Sequence, residues 1–466
     1  MISLWSIIKL TARAAIRSHI FQLLLALLLL CVLLLPLTIA GDGTAYGYIQ
    51  ISLKYSLEAC AFILALSCIW LGCFLLSQDV ESYQLHMVVS KPTSRVKIWL
   101  GKCLGVILIH GVLLLIAAMV IYGMILWQFS RQSFTQAEKN RIENEVLVGR
   151  RVFYPVLPDI NQLARELFSQ RLNAAKQSAS GTISIDERTA MPEMRKQVMA
   201  SLSEVKFGPS EYRMWEFKDI PTEPLYLRFR TYVNKVSTKD QRITVGVWNV
   251  VMEVPTDTVL ANGKKKMQQA IFPVSNPKQY MTGVFHELAL SPEIVQANHS
   301  VEVVFVNLDP EKKTLYFQLA DGPKLLVKVS GFLGNYLRAV LVIMMGLVIF
   351  SALACAAAGI MSMPVAVFTV ISYLLFGIFA QYLVGAEDSL EGASAVVGYW
   401  VSKALLLAVI PMQNFEVSRF IANGELIEFA FIAKLFLYYF VLRGLPLFLL
   451  GIYFYNRREL GLIIRK

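Results

Sequence analysis

Long apolar runs alternate with polar stretches along this chain, and their lengths set the first reading. A helix crosses the hydrocarbon core of a bilayer with about 20 apolar residues. Runs of that length occur at His19–Ala40, Glu58–Ser77, Gly101–Trp127, Tyr336–Ile360, Pro364–Val384 and Phe429–Tyr455. A further apolar stretch, Ala393–Ile410, is short and holds Gly398 and Lys403, so residues 393–427 read as a re-entrant extracytoplasmic segment. The six spans form two groups of three, in residues 19–127 and 336–466, parted by residues 128–335.

Between the groups the pattern changes twice. In residues 128–217 apolar positions recur every three or four residues, as in "DINQLARELFSQRL" and "MPEMRKQVMASLSEV", which predicts helices. In residues 222–330 the period falls to two. Within "LYLRFRTYV", Leu225, Leu227, Phe229, Thr231 and Val233 share one face, and Tyr226, Arg228, Arg230 and Tyr232 the other. Further strands are predicted at "ITVGVWNVVM", "QQAIFPV", "GVFHELAL", "SVEVVFVNL" and "TLYFQL", parted by turn-forming "ANGKKK", "NPK" and "DPEKK". Short strands so punctuated predict a β-sandwich or jelly roll. Tyr226, Tyr232 and Trp248 read first as core residues, with stacking on a sugar as their other role. The expected fold class is an α-helical polytopic membrane protein of six transmembrane helices, 3+3, with an inserted extracytoplasmic α+β domain.

Composition and charge add orientation. With 56% hydrophobic and 17% charged residues the chain is not an ordinary soluble globule. Lysine and arginine concentrate in short cytoplasmic loops. Here Lys9, Arg13 and Arg17 precede the first span, Lys91, Arg95, Lys97 and Lys102 lie between the second and third, and Arg457, Arg458, Arg465 and Lys466 follow the last. All three sets fall on one side, read as the cytoplasm. The connector Gly385–Glu428 carries Glu387, Asp388, Glu391, Glu416, Glu425 and Glu428 against Lys403 and Arg419, as expected for the opposite face. The chain is therefore expected in the cell (inner) membrane, with both termini cytoplasmic and residues 128–335 outside. Residues 1–18 read as an amphipathic cytoplasmic helix whose Lys9, Arg13 and Arg17, spaced by four, form a cationic stripe for the anionic surface of the lipid bilayer. A cleavable signal ending near "LTIAGDG" is the other reading of this end, and the long apolar run argues against it.

Candidate chemistry is sparse. There is no G-x-x-x-x-G-K-[ST] phosphate-binding loop, so this chain does not bind ATP in that way. All six cysteines fall in or beside the spans, which leaves the outer domain without disulfides. "FHELAL" lacks the second histidine a zinc protease needs, because position 290 is leucine, so His286 and Glu287 read as a solvent-facing pair on a strand. No metal site, catalytic residue, bound cofactor or nucleic-acid partner is expected. Within the spans, Arg443 lies beside Gly444 and Pro446, where a kink would free carbonyls for it. It reads either as lining a translocation path or dimer interface, or as a structural pairing. His110, the other candidate on that path, reads as an interhelical hydrogen bonder ahead of a proton carrier.

Short motifs then suggest a family. "SKPTSRVKIWLGKCLG" resembles the segment between the second and third spans of permease subunits of ABC type-2 transporters, where Ser or Lys-Pro, Ser-Arg and Leu-Gly-Lys recur. "LTARAAIRSHIFQLLL" resembles that family's amphipathic N-terminal helix, "AVIPMQNFEVSRF" its proline-asparagine-aromatic segment before the last span, and "YFYNRREL" its common ending. The similarity covers both membrane halves. It departs where Met412 and Gln413 separate Pro411 from Asn414, and in the long outer domain, absent from compact members. The resemblance implies a permease, an exporter by expectation, that dimerises with itself or a homologue and docks cytoplasmic ATPase subunits holding ATP and magnesium. It implies a coupling loop over residues 78–102, with a helix from Gln78 to Ser90, in which Asp79, Glu81, Gln84, Lys91, Pro92, Arg95 and Lys102 meet the ATPase. The alternative is a non-transporting membrane anchor that displays a ligand-sensing β-sandwich.

Overall fold

The fold comes from a computed structural model that describes residues 2–39, 44–81, 94–131, 134–178, 187–208, 211–233, 243–259, 265–319, 321–386, 400–401, 403–404 and 409–457. The chain divides into a membrane unit, Met1–Gly149 with Ser330–Lys466, and a second unit, Arg150–Val329.

The membrane unit begins with α1 (Ile2–Arg17) and α2 (His19–Thr38), parted by Ser18, whose hydroxyl caps α2 by accepting from the Phe21 amide. Helix α3 (Ala45–Glu81) starts well before the predicted Glu58. Ile49, Leu53 and Leu57, each one turn apart and buried, carry its apolar stripe back into a polar stretch that the search for unbroken apolar runs passes over. Helix α4 (Arg95–Arg131) is followed by α5 (Gln136–Glu145), started by a capping box in which Thr135 and Glu138 bond each other's amides. Ile142 and Val146 join the core of the membrane unit. The second unit therefore starts at residue 150 instead of residue 128.

Strand β1 (Val148–Phe153) crosses into that unit, which then holds α6 (Ile160–Ser178) and α7 (Glu187–Ser203), packed through Ala164, Met194 and Val198. These two helices match the expected ones, but the region to Phe217 also contains strands β2 (Glu204–Val205) and β3 (Tyr212–Phe217). The remaining strands are β4 (Leu225–Arg230), β5 (Tyr232–Val233), β6 (Ile243–Val259), β7 (Lys265–Pro273), β8 (Lys278–Met281), β9 (Phe285–Leu290), β10 (Val301–Asn307), β11 (Leu315–Tyr316) and β12 (Lys324–Gly331). One sheet runs β1-β12-β4-β9, a second runs β3-β10-β6-β7 with β8 beside β6, and a short third runs β2-β11-β5. The two larger sheets share one core. Leu225, Leu227, Phe229, Leu325 and Val327 come from the first, and Trp215, Trp248, Val303 and Phe305 from the second. The alternation read from "LYLRFRTYV" holds, with Leu225, Leu227, Phe229 and Thr231 buried. Trp248 sits 4.8 Å from the Phe229 ring and 5.0 Å from that of Phe305, and Gly246 leaves room where a Cβ would strike Phe305.

The other face of β4 corrects the expectation for His286 and Glu287. The Glu287 side chain is only 6% exposed and pairs with Arg150 at 2.7 Å and Arg228 at 3.5 Å, both of them buried. His286 is half-buried, with Nε2 2.8 Å from the Met281 carbonyl and its ring against Phe229 and Tyr280. A strand pattern alone cannot show that a charge on the polar face is neutralised by a residue far along the chain.

The membrane unit resumes with α8 (Phe332–Ile360) and α9 (Met363–Ala386), then a 3-10 turn, Met412–Phe415, and α10 (Ser418–Ala422). The last span is composite: α11 (Phe429–Leu435), a π-helical stretch Phe436–Gly444, and α12 (Leu445–Arg457). Among the described residues five helices are long and apolar enough to cross a membrane: His19–Thr38, Ala45–Gln78, Arg95–Arg131, Phe332–Ile360 and Phe429–Arg457. The remaining expected span, Pro364–Val384, falls on α9, whose apolar described part, Met363–Phe379, is shorter. Of the segment read as re-entrant, residues 409–427 are folded into the unit, with Ile410, Phe415, Val417, Ile421 and Ile427 in its core. Most of residues 393–408 lie outside the described residues.

Candidate functional site

The predicted coupling loop leads into α4, and the start of that helix is a junction. Gly101 and Gly105 stand one turn apart on the face where α1 lies. A Cβ on Gly101 would come within 2.7 Å of the Ile7 side chain, and one on Gly105 within 2.7 Å of that of Thr11. Two small residues four apart let helices approach closely. Ile8, Thr11 and Ala15 are buried on this side of α1, while Lys9, Arg13 and Arg17 are exposed on the other with Trp5 and Ile16. The cationic stripe thus faces outward, flanked by apolar side chains suited to a headgroup layer.

Other bonds tie α4 to three more helices. Arg95 Nη1 donates to the Asn456 carbonyl of α12 at 3.0 Å. Lys102, expected among the ATPase contacts of the coupling loop, is buried instead and donates to the Leu75 carbonyl of α3 at 2.6 Å. Trp99 is buried, donates from Nε1 to the Cys355 carbonyl of α8 at 3.1 Å, and meets the Phe448 ring edge-on at 4.8 Å. A force on α4 is therefore shared by α1, α3, α8 and α12. Helix α3 runs through Asp79 to Glu81; the side chains of Asp79 and Glu81, and Gln84, Lys91 and Pro92 altogether, lie outside the described residues.

His110 is fully buried on α4. Its Nδ1 lies 2.8 Å from the Val106 carbonyl, which can only accept, so Nδ1 carries the proton and Nε2 accepts from the Ser67 hydroxyl at 3.1 Å. Both ring nitrogens are satisfied, and the bond joins α4 to α3.

Arg443 lies in the π-helical stretch. Such wider turns free backbone groups and recur at functional sites. One guidinium nitrogen of Arg443, Nη1, donates to the Val409 carbonyl, and Nη2 donates to the Tyr438 hydroxyl at 2.9 Å. The guanidinium also lies over the rings of Tyr438 and Tyr439, at 4.6 and 5.6 Å. Tyr439 accepts in turn from Asn414 at 2.5 Å. Among the described residues no carboxylate lies within ion-pairing distance of Arg443. Next to it, Phe440, Gly444 and Phe448 with Ile107 and Ala352 line an apolar cavity of about 230 Å³. A half-buried cation held by a carbonyl and aromatic rings therefore stands beside an apolar cleft.

In the second unit, Tyr232 donates to Asp321 at 2.5 Å, and Arg230 pairs with the same carboxylate at 3.4 Å. Burial, and then the bond to Asp321, push the Tyr232 hydroxyl up to about 12. Trp248 is core, while Tyr226 and Tyr232 are half-buried on the other face of the sheet. Among the described residues no group of His, Cys, Asp and Glu side chains could hold a metal ion.

The reading of single motifs passes over two features. Gly101 and Gly105 were legible as a small-residue pair, but nothing in the sequence names α1 as the partner. The π-helical stretch "FLYYFVLRG" has no composition that sets it apart from an ordinary apolar helix. Compared with models of known families, with characterised proteins and with solved structures, the chain matches none.

Proposed function

We propose that this chain is the membrane-spanning permease subunit of an ATP-driven transporter of the ABC type-2 kind, an exporter, powered by a separate ATPase. The observation that supports it best is the junction at the start of α4. Gly101 and Gly105 seat α1 there, Arg95 reaches α12, Lys102 reaches α3 and Trp99 reaches α8. A push delivered at the loop before α4 would reach both halves of the bundle at once, as coupling to a cytoplasmic motor requires.

In this reading the ATPase docks on residues 78–102 and holds ATP and magnesium, and the chain binds no cofactor and catalyses no reaction. It works as a dimer, with itself or a homologous permease, in the cell membrane with both termini in the cytoplasm. The domain after α5 is extracytoplasmic and meets substrate or a partner there. Lys9, Arg13 and Arg17 rest on anionic lipid, and Arg443 with His110 border the path. The test is co-expression and co-purification with a soluble ABC ATPase from the same genome. A stable complex that is lost when residues 78–90 are deleted is expected. A chain that purifies alone whether or not these residues are present would leave the membrane-anchor reading in its place.

A further inference from the structure

A second cleft in the membrane unit lies between α3, α8 and the turn that precedes α10. Its volume is about 370 Å³, within the range of small-molecule sites, roughly 300–1,000 Å³. Its walls are apolar: Ala61 and Ala65 come from α3, Gly346 and Phe350 from α8. Its rim is not. Glu58 and Glu416 both border it, and the Ser418 hydroxyl donates to Glu58 at 2.9 Å.

The position of Glu58 gives the cleft a depth. From Ala59 to Gln78 the chain carries no charge, and at 1.5 Å per residue this stretch spans about 30 Å, the thickness of the hydrocarbon core. Glu58, inside α3, thus marks the headgroup level at one end of this uncharged stretch, and Ala61 and Ala65 lie one and two turns deeper into the hydrocarbon. Phe62, between them, is 64% exposed on the lipid-facing side. The rim carries two carboxylates. Lys54, 3.7 Å from Glu58, offsets one of them, and Arg419 on α10 is not part of the lining. Glu416 has no ion-pair partner among the described residues.

We infer that this cleft binds a membrane phospholipid with an ammonium headgroup, its hydrocarbon chain between α3 and α8 and its ammonium on Glu58 and Glu416. Charge decides the class. An anionic headgroup would meet the excess carboxylate, whereas a zwitterionic one sets its ammonium against it and leaves Lys54 for its own phosphate. A second copy of this chain would have to bury the two carboxylates of the rim to fill the cleft.

The test is native mass spectrometry of the full chain in mild detergent, titrated with phosphatidylethanolamine and with phosphatidylglycerol of the same acyl chains. A preference of about tenfold for phosphatidylethanolamine is expected, the size of one charge-assisted hydrogen bond. The Glu58→Gln, Glu416→Gln double variant keeps an acceptor for Ser418, and should bind both lipids about equally. Ala65→Trp fills the cleft and should lose the bound lipid. Gly346→Ala, whose Cβ meets Phe415 only at the ordinary distance of 3.7 Å, narrows it without disturbing the fold and should weaken binding. Equal binding of the two lipids by the unaltered chain, a preference that survives the double variant, or full retention in both filled variants would overturn the proposal. No ATPase takes part, so the result is independent of the transport reading.

Discussion

The seat of α1 on α4 can be probed by adding one methyl at each glycine, as Gly101→Ala with Gly105→Ala. Two effects oppose each other. Alanine is the better helix former by roughly 0.5–1 kcal/mol per site, which would stabilise α4. Against this, the new Cβ atoms would lie 2.7 Å from the side chains of Ile7 and Thr11, closer than carbon atoms approach. Neither neighbour can swing away, because both are β-branched and Thr11 is held to the Ile7 carbonyl at 2.9 Å. Overpacking of this kind costs about 1–3 kcal/mol per site. The clash outweighs the gain, and the cheapest relief is for α1 to lift from α4. The assay is maleimide labelling of Ile8→Cys, read by peptide mass. Ile8 is 8% exposed in the seated helix. Labelling should be slow in the parent and faster by at least tenfold in the double alanine variant, with a lower melting midpoint in detergent. Unchanged labelling together with a raised midpoint would refute the close packing of these helices.

Other outcomes follow from single sites. Glu287→Gln leaves the buried guanidiniums of Arg150 and Arg228 without their carboxylate; breaking a buried pair costs about 3–5 kcal/mol, which calorimetry should show as a drop of roughly 6–20 °C for a domain of this size. Tyr232 is held protonated in the folded state, so its contribution is complete below about pH 10, the ordinary tyrosine value, and is lost as the pH rises towards about 12. An absorbance titration of the parent minus Tyr232→Phe should show one phenol ionising near that upper value, and ionisation near the ordinary value would contradict it. Arg443→Lys cannot reach both the Val409 carbonyl and the Tyr438 hydroxyl with a planar fork, and should lower the melting midpoint by the equivalent of about 1–3 kcal/mol; an unchanged midpoint would show that these bonds do not hold the π-helical stretch.

Much of this fold was legible where one pattern decided the element. The alternation of Leu225, Leu227 and Phe229 gave β4, and the uncharged stretch after Glu58 gave the crossing part of α3. Elements were lost where a pattern depends on a distant partner. "VGRRVF" does not read as a strand because Arg150 and Arg151 interrupt it, yet Arg150 is buried since Glu287 neutralises it. "YRMWEF" carries the signal in Trp215 and Phe217, both buried, but Met214 on the opposite face is exposed and blurs the alternation. The early start of α3 follows Ile49, Leu53 and Leu57, an amphipathic stripe outside the run of uncharged residues. Lys102 was misplaced for a similar reason. Charge suggested a surface position, but a lysine next to the ends of neighbouring helices can lay its ammonium on a helix carbonyl, here that of Leu75. For the candidate site, the sequence supplied Arg443 and His110 but not the hydrogen bonds that hold them, which require the folded bundle.

The most direct test of the proposed function is ATP turnover by the complex of this chain with its ATPase, reconstituted in lipid, with and without Arg95→Glu. Arg95 stands at the start of α4, next to the proposed coupling loop, and bonds to Asn456. The account predicts that the variant still assembles with the ATPase but loses most of the turnover that depends on the membrane subunit. Full turnover in an intact Arg95→Glu complex would contradict coupling through the start of α4.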